Sequence, residues 1–367
     1  MRPVVIAAGG TGGHFFPAEA LAGELSRRGQ RVVLLTDARS GGLASPAFDG
    51  RERFVLSGSG IAGRGVARAL RSIAALATGT WQARGILARL RPAAIVGFGG
   101  YPCVAPVLAS RFLASRPAVI LHEQNGVLGR ANRMLSGRAD VLALSFAGTA
   151  RVPAGRRTEV TGNPVRPAIT AQPYAAPADE IRLLVLGGSL GARVFSDVVP
   201  PAVALLPAEL RARLVVTQQC RAEDLDRVRA AYAASAIAAT LSSFFADIAG
   251  LLAGAHLVIA RAGASTVAEL AVVGRPAILV PLPGAIDDHQ CANARALAQP
   301  GGAWVMAQPV ATPAALAERL AALFSDPAAL TRAAAAAAST GRPDAAPRLA
   351  DLVERVMNQP ARQESTA

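Results

Sequence analysis

The 367-residue chain contains no lysine, so all 38 of its basic side chains are arginine. That absence excludes a P-loop, which needs a lysine to reach the phosphates, and any Schiff-base enzyme, which needs the amine as nucleophile. Aromatic residues are scarce at 4%, which argues against a stacking platform for single-stranded nucleic acid. With one basic residue type throughout, the net charge of +13 reads as a compositional bias, and no nucleic-acid partner is expected. Only three cysteines occur (Cys103, Cys220, Cys291), far apart and without C-x-x-C spacing. Their pattern fits reduced structural thiols rather than a disulfide framework or zinc site. No run of about 18 uninterrupted apolar residues exists, because Arg111 and Arg116 break the best candidate. The first residues lead into a strand rather than a cleavable leader, so a cytoplasmic protein with peripheral membrane contact is expected.

Metal ligands are also thin. Asp224-x-Asp226 has the spacing of a nucleotide-sugar metal motif but lies in a charged amphipathic stretch, where a solvated helix face is expected. Asp287-Asp288 lacks the further carboxylates of an oxygen cage. Neither a metal nor a cofactor is expected.

What is present is apolar: 52% hydrophobic residues against 17% charged can bury sizeable cores, and the length suits two domains. Short apolar runs alternate with segments of helical period, the pattern of β-α units on a parallel sheet. Strands are predicted near 3–8, 31–36, 93–97, 117–121 and 139–144, and again near 181–186, 213–217, 256–259, 276–280 and 302–305. Between the two series, Thr161-Gly162-Asn163-Pro164-Val165-Arg166-Pro167 opens a polar, proline-containing linker. The expected division is a domain over 1–163, a second over 164–340, a helix over 341–357 that packs back on the first domain, and a frayed tail over 358–367.

Several strand ends carry residues suited to chemistry. Gly9-Gly10-Thr11-Gly12-Gly13-His14 follows the first strand, and Gly187-Gly188-Ser189-Leu190-Gly191-Ala192-Arg193 opens the second series. Glycines between strand and helix let backbone N–H groups approach a phosphate or sugar, although the same loops would serve as tight turns. Both lack the spacing of the dinucleotide fingerprint, which disfavours a dehydrogenase even though Asp37 could mimic its ribose-binding acid. In Arg261-Ala262-Gly263-Ala264-Ser265-Thr266, Thr266 and the helix start suit phosphate, and Glu269 one turn on suits ribose hydroxyls or a helix cap. His14, His122 and His289 all fall at strand-end loops, which favours a site, whereas His256 reads as structural. From Ile61 to Leu90 a basic, amphipathic segment with Ile73 and Trp81 suits either an anionic membrane surface or a core stripe, and Gly79 is expected to break it into two helices.

Seven stretches in order, GGTGGHFFP, GFGGYPC, LHEQNGVLGRANR, GNPVR, GGSLGAR, RAGASTVAEL and DDHQCANA, resemble the MurG family of bacterial lipid I N-acetylglucosaminyltransferases from the first strand to about residue 355. The resemblance implies an α/β fold of GT-B architecture, two Rossmann-like doubly wound domains with a cleft between them. It implies transfer of N-acetylglucosamine from UDP-N-acetylglucosamine to lipid I, with inversion, giving lipid II for peptidoglycan synthesis at the cytoplasmic face of the inner membrane. By the same resemblance Ser189, Arg166 and Thr266 lie near the donor diphosphate, with Ala264 and Ser265 at the same helix start. Glu269 meets the ribose, Phe245 the uracil, and His289 with Gln290 the sugar. Thr11, Gly12, Gly13 and Asn125 complete the pocket from the first domain, which holds the lipid-linked acceptor. Leu190, Ser265 and Phe245 depart from the family's usual residue types, which puts side-chain contacts there in question. His14 is the expected general base, with Glu123 and His122 as weaker candidates. Cell-wall assembly proteins are further expected partners. Competing readings are a UDP-N-acetylglucosamine 2-epimerase-like enzyme and a non-catalytic sugar-nucleotide or lipid-binding scaffold.

Overall fold

A computed structural model describes residues 1–9, 12–37, 47–56, 66–188 and 191–359, with residues 66–72 as backbone only. The chain forms two compact units, Met1–Arg166 joined by the chain from Asp344 onward, and Pro167–Pro343.

The first unit is a parallel sheet of β1 (Val4–Ala7), β2 (Val32–Asp37), β3 (Arg53–Leu56), β4 (Ala94–Gly97), β5 (Ala118–Glu123), β6 (Val141–Leu144) and β7 (Thr158–Val160). They pair in the order β3-β2-β1-β4-β5-β6-β7. The inner strands are rich in Val, Ile and Leu because helices cover both faces, leaving no solvated side. The helices are α1 (Gly12–Arg27), α2 (Val66–Leu90), α3 (Gly100–Ala109) and α4 (Arg130–Leu135). On one face Val4, Ile6 and Val96 pack against Leu21 and Leu25 of α1 and against Leu349, Leu352 and Val353, which the chain brings back from its far end. On the other, Val5, Val33 and Leu35 pack with Ile86 and Leu87 of α2 and Val107 of α3. α2 runs unbroken through Gly79, contrary to the expected break. Gly79 is buried in the helix, so tertiary packing outweighs the roughly 1 kcal/mol that glycine costs there.

The second unit contains β8 (Ile181–Leu186), β9 (Leu214–Gln219), β10 (Ala238–Ser242), β11 (Leu257–Ala260), β12 (Ala277–Leu279) and β13 (Ala303–Val305). Their order is β10-β9-β8-β11-β12-β13, again all parallel. Helices α5 (Arg193–Ala204), α6 (Ala208–Arg213), α7 (Leu225–Ala234), α8 (Ile248–Gly254), α9 (Ala264–Val273), α10 (His289–Ala298), α11 (Pro313–Phe324) and α12 (Pro327–Thr340) surround it. Gly341 and Pro343 end α12 before α13 (Ala345–Met357) begins. That last helix docks on α1: Arg28 donates to Asp351 at 2.6 Å and Glu354 at 2.8 Å. Burial disfavours the Arg28 charge, but its bonds to Asp351, Glu24 and Glu354 outweigh burial and raise its pKa.

The linker is held by a buried arginine that bonds to backbone carbonyls. Arg275 is 2% exposed and donates to the carbonyls of Leu252, Ala253, Val273 and Gly274, and to Gln172 and Pro173 of the linker. Burial pushes its pKa down from the ordinary arginine value, and Tyr174 offsets this with its ring 5.5 Å from the guanidinium. His256 is structural, its Nδ1 accepting the Arg182 N–H at 3.0 Å. Arg275→Met keeps the volume but leaves buried carbonyls without donors. Urea unfolding should show the Pro167–Pro343 unit destabilised by about 3 kcal/mol, with the other unit's transition unchanged; an unchanged midpoint for both contradicts the clamp.

Candidate active site

In open parallel sheets the strand order reverses direction at one point, and the loops leaving the carboxyl ends there diverge into a crevice that binds ligands. In the first unit that point lies between β1 and β4, and in the second between β8 and β11. The glycine-rich loops after β1, β4, β8 and β11 thus line two crevices, one in each unit.

In the first crevice Gly12, Gly13 and His14 form the start of α1, and Thr11 lies outside the described residues. A Cβ at Gly12 would stand 2.8 Å from the Phe16 ring, so a side chain there would displace that ring. Arg166 lies over that ring, 5.2 Å from its centroid. The His14 imidazole lies against Gly99 and Gly100, whose φ values of 79° and 66° favour glycine. Its Nδ1 is 2.9 Å from Gln124 Oε1. Gln124 in turn is 3.1 Å from the Phe98 carbonyl and 3.0 Å from His122 Nδ1 through its Nε2.

The weaker base candidates are excluded by their bonds. Glu123 is 1% exposed, and its carboxylate accepts N–H bonds from the Asn125 backbone and side chain, the Gly129 backbone and Asn132 Nδ2. Four donors saturate the two oxygens, so Glu123 positions Asn125 and the turn into α4 rather than taking a proton. His122 is fully buried, with Nε2 3.0 Å from the Gly162 carbonyl and Nδ1 on Gln124. Burial drives its pKa down to about 4, outweighing the bond to Gly162.

In the second crevice Gly187 approaches the chain where it re-enters at Ala192 so closely that a Cβ would stand 2.3 Å from the Ala192 nitrogen. Ser189 and Leu190, between them, lie outside the described residues. Helix α9 begins at Ala264 after Gly263, and among the described residues no side chain caps it. The N–H groups of Ala264, Ser265 and Thr266 therefore face outward from a positive helix end suited to a phosphate. Glu269 is buried in the second turn, too far along to cap the helix, which removes that reading. Arg261 half-buries itself behind this loop, donating to Val280, Pro281 and Gln308 and tying the strand ends together. Phe245 is partly buried beyond β10, beside Phe244, which is 74% exposed. His289 and Gln290 start α10 after Asp287 and Asp288, two successive non-glycine residues with positive φ. Such strain costs about 1–3 kcal/mol per residue and collects at functional turns. Gln290 Oε1 accepts the Leu282 N–H at 2.9 Å, and His289 Nδ1 lies 2.7 Å from the Ile286 carbonyl. Asn293, one turn on, ties α10 to the Ala262 carbonyl.

Asp224 departs from the expected solvated face. It is 5% exposed and pairs with Arg227 at 2.7 Å, which holds its carboxyl below the usual range, while Asp226 stays exposed. Sequence reasoning passed over Gln124, Asn132 and Phe16 as individual residues. All three lie inside the quoted motifs, but no spacing rule connects residue 14 with residue 124 or residue 16 with residue 166.

Two Rossmann-like units with glycine-rich crevices and an anion-suited helix end fit the GT-B class of nucleotide-sugar enzymes. The chain belongs to glycosyltransferase family 28, whose N-terminal domain matches residues 4–143 and C-terminal domain residues 182–349. It is 63% identical to the UDP-N-acetylglucosamine–N-acetylmuramyl-(pentapeptide) pyrophosphoryl-undecaprenol N-acetylglucosamine transferase of Granulibacter bethesdensis, over 97% of this chain and 94% of that protein. The same-named protein of Acidiphilium cryptum is 56% identical over 96% of each chain. The crystal structure of Acinetobacter baumannii MurG superposes with a TM-score of 0.80 at 31% identity, covering 97% of this chain and 100% of that one.

The buried His122 makes folding sensitive to acid. Its pKa is about 4 folded against 6.5 as the ordinary value, so between those values the unfolded chain takes up a proton that the folded chain refuses. This contribution should leave stability untouched above pH 6.5, remove about 3 kcal/mol as pH falls to 4, and level off below. Urea unfolding across that range, compared with His122→Gln, checks the slope; equal slopes contradict it.

Proposed function

We infer that the chain is the enzyme transferring N-acetylglucosamine from UDP-N-acetylglucosamine to the muramoyl sugar of lipid I, releasing UDP and giving lipid II for peptidoglycan synthesis. Near-full-length identity of 63% to a transferase named for that reaction carries the reading. It disfavours the epimerase and scaffold alternatives.

The residues divide the work between the crevices. The N–H groups of Ala264, Ser265 and Thr266, with Ser189 and Arg166, hold the diphosphate of the donor. Glu269 accepts from the ribose hydroxyls, Phe245 flanks the uracil, and His289 and Gln290 reach the sugar. Thr11, Gly12, Gly13 and Asn125 are the first unit's contribution to substrate binding, and that unit also takes the lipid-linked acceptor. The acceptor hydroxyl attacks the anomeric carbon from the face opposite UDP. As the new C–O bond forms, the bond to the diphosphate breaks with its electron pair, converting an α-linked donor into a β-1,4-linked product. His14 takes the hydroxyl proton, while Arg166 and the α9 N-terminus meet the charge that develops on UDP, a role a metal fills elsewhere.

The lipid substrate calls for membrane contact without a span, and no helix among the described residues is long and apolar enough to cross one. Ile73 (64% exposed) and Trp81 (76%) lie on α2 with Arg84, whose Nε donates to the carbonyl of the exposed Phe112 (64%). Apolar anchors beside arginine suit an anionic bilayer surface, and we assign this face to peripheral binding at the cytoplasmic leaflet.

Labelled sugar should pass from UDP-N-acetylglucosamine to a lipid I analogue in the presence of EDTA. His14→Ala should lower kcat by about 10²- to 10⁴-fold with UDP affinity retained. Transfer that needs magnesium restored overturns metal independence, and no transfer at all overturns the activity. In a flotation assay with anionic liposomes, Ile73→Glu combined with Trp81→Glu should lose most binding; binding equal to wild type refutes the membrane face.

A further inference from the structure

The hydrogen bonds behind His14 decide which of its nitrogens carries the proton. The Gly162 carbonyl only accepts, so His122 Nε2, 3.0 Å away, must be the N–H end of that ring. With its pKa near 4, His122 is neutral at physiological pH, and its Nδ1 is left as a lone pair. That lone pair faces Gln124 Nε2 at 3.0 Å, which also faces the carbonyls of Phe98 at 3.1 Å and His122 at 3.3 Å. Three acceptors surround the Gln124 nitrogen, and the reversed amide would press its oxygen against two carbonyl oxygens. The orientation of Gln124 is therefore forced, and its Oε1 points at His14 Nδ1 at 2.9 Å. An amide oxygen donates nothing, so Nδ1 of His14 must be the donor.

We propose that Gln124 is a positioning residue which, anchored through His122 to the Gly162 carbonyl, holds the proton of the His14 imidazole on Nδ1 and leaves Nε2 as the proton acceptor. The inference rests on the reading of His14 as the base. The opposite tautomer would put a proton on Nε2 and leave nothing there to receive one from the acceptor hydroxyl. One face of the ring lies against Gly99 and Gly100, with a Cβ placed at Gly100 standing 3.7 Å from Nε2, so the imidazole is held by packing as well as by its bond. The groups facing the relay are the Phe98 ring, 5.2 Å from His122, and backbone carbonyls; Glu123 spends its carboxylate on Asn125, Gly129 and Asn132. No proton travels along the relay, because an amide cannot take one up: the hydroxyl proton stops at Nε2 and leaves to solvent after the product departs. This is the orienting function a carboxylate serves in the serine-protease triad, carried out here by a neutral group.

The chain has only four histidines, so the full-length protein labelled with ¹⁵N-histidine gives four imidazole patterns, and His14→Ala identifies the one that matters. The expected wild-type result is protonated Nδ1 and lone-pair Nε2 for neutral His14, with the reverse for His122. Gln124→Met should abolish the His14 preference and lower kcat about 10- to 100-fold, with donor KM within about twofold. Gln124→Glu in its protonated form offers an O–H where Nε2 donates and still an acceptor oxygen to Nδ1, so it should retain the tautomer and recover part of kcat. A proton on Nε2 of wild-type His14 overturns the proposal outright. So does an unchanged tautomer in Gln124→Met, or equal loss of kcat in both variants without any change of tautomer, since that is what a purely structural residue would do. If the tautomer is as stated but His14→Ala turns over normally, the base assignment fails and the relay has no part in catalysis.

Discussion

A parallel sheet covered by helices on both faces leaves only the strand ends for chemistry. Here β1 and β4 in one unit and β11 and β12 in the other are buried along their length, so polar groups that could meet a ligand gather at the carboxyl edge. The reversal of strand order then selects which edge loops diverge: those after β1 and β4 in one unit and those after β8 and β11 in the other. Glycine at these turns answers two separate demands, positive φ at Gly99, Gly100, Gly188 and Gly191, and close backbone approach at Gly187.

Fixing side chains at those edges requires polar groups below the surface, and each must be satisfied or it destabilises the fold. Glu123 meets this condition with four N–H donors, and Gln124 with a donor side spent on acceptors and an acceptor side given to His14. The two residues are adjacent on the chain and serve opposite ends of one arrangement. Glu123 shapes the turn that carries Asn125, and Gln124 aims the imidazole. In the second unit Arg261 and Asn293 play the corresponding part, bonding to carbonyls behind the α9 and α10 helix starts.

The exclusive use of arginine has structural consequences. A guanidinium presents five donors in a plane, so one Arg275 can serve six carbonyls across the linker, α8 and the end of α9. A lysine ammonium offers three donors and a charge that water solvates strongly, and it would lose more on burial. Arg28 does related work for α13, joining two carboxylates and a carbonyl from the end of the chain.

The amino-acid sequence determined the alternation of strand and helix, the doubly wound class and the loops that carry the chemistry, because periodicity and glycine placement act over a few residues. Its reach failed at β3, β7 and β10, sheet-edge strands with exposed positions and no continuous apolar run. It failed also at Gly79, where burial against neighbouring elements outweighs local helix propensity. The resemblance of ordered motifs pointed to the reaction, and His14 was legible as a histidine at a strand-end loop. Which groups surround it was not, since His14 lies 110 residues from Gln124 and His122 lies 40 from Gly162, and they meet only once β1, β4 and β5 lie side by side. The tertiary structure alone decided that Glu123 is saturated, that His122 is buried and neutral, and that a single amide orients the imidazole, because hydrogen-bond direction depends on which atoms face each other in space and not on their order along the chain.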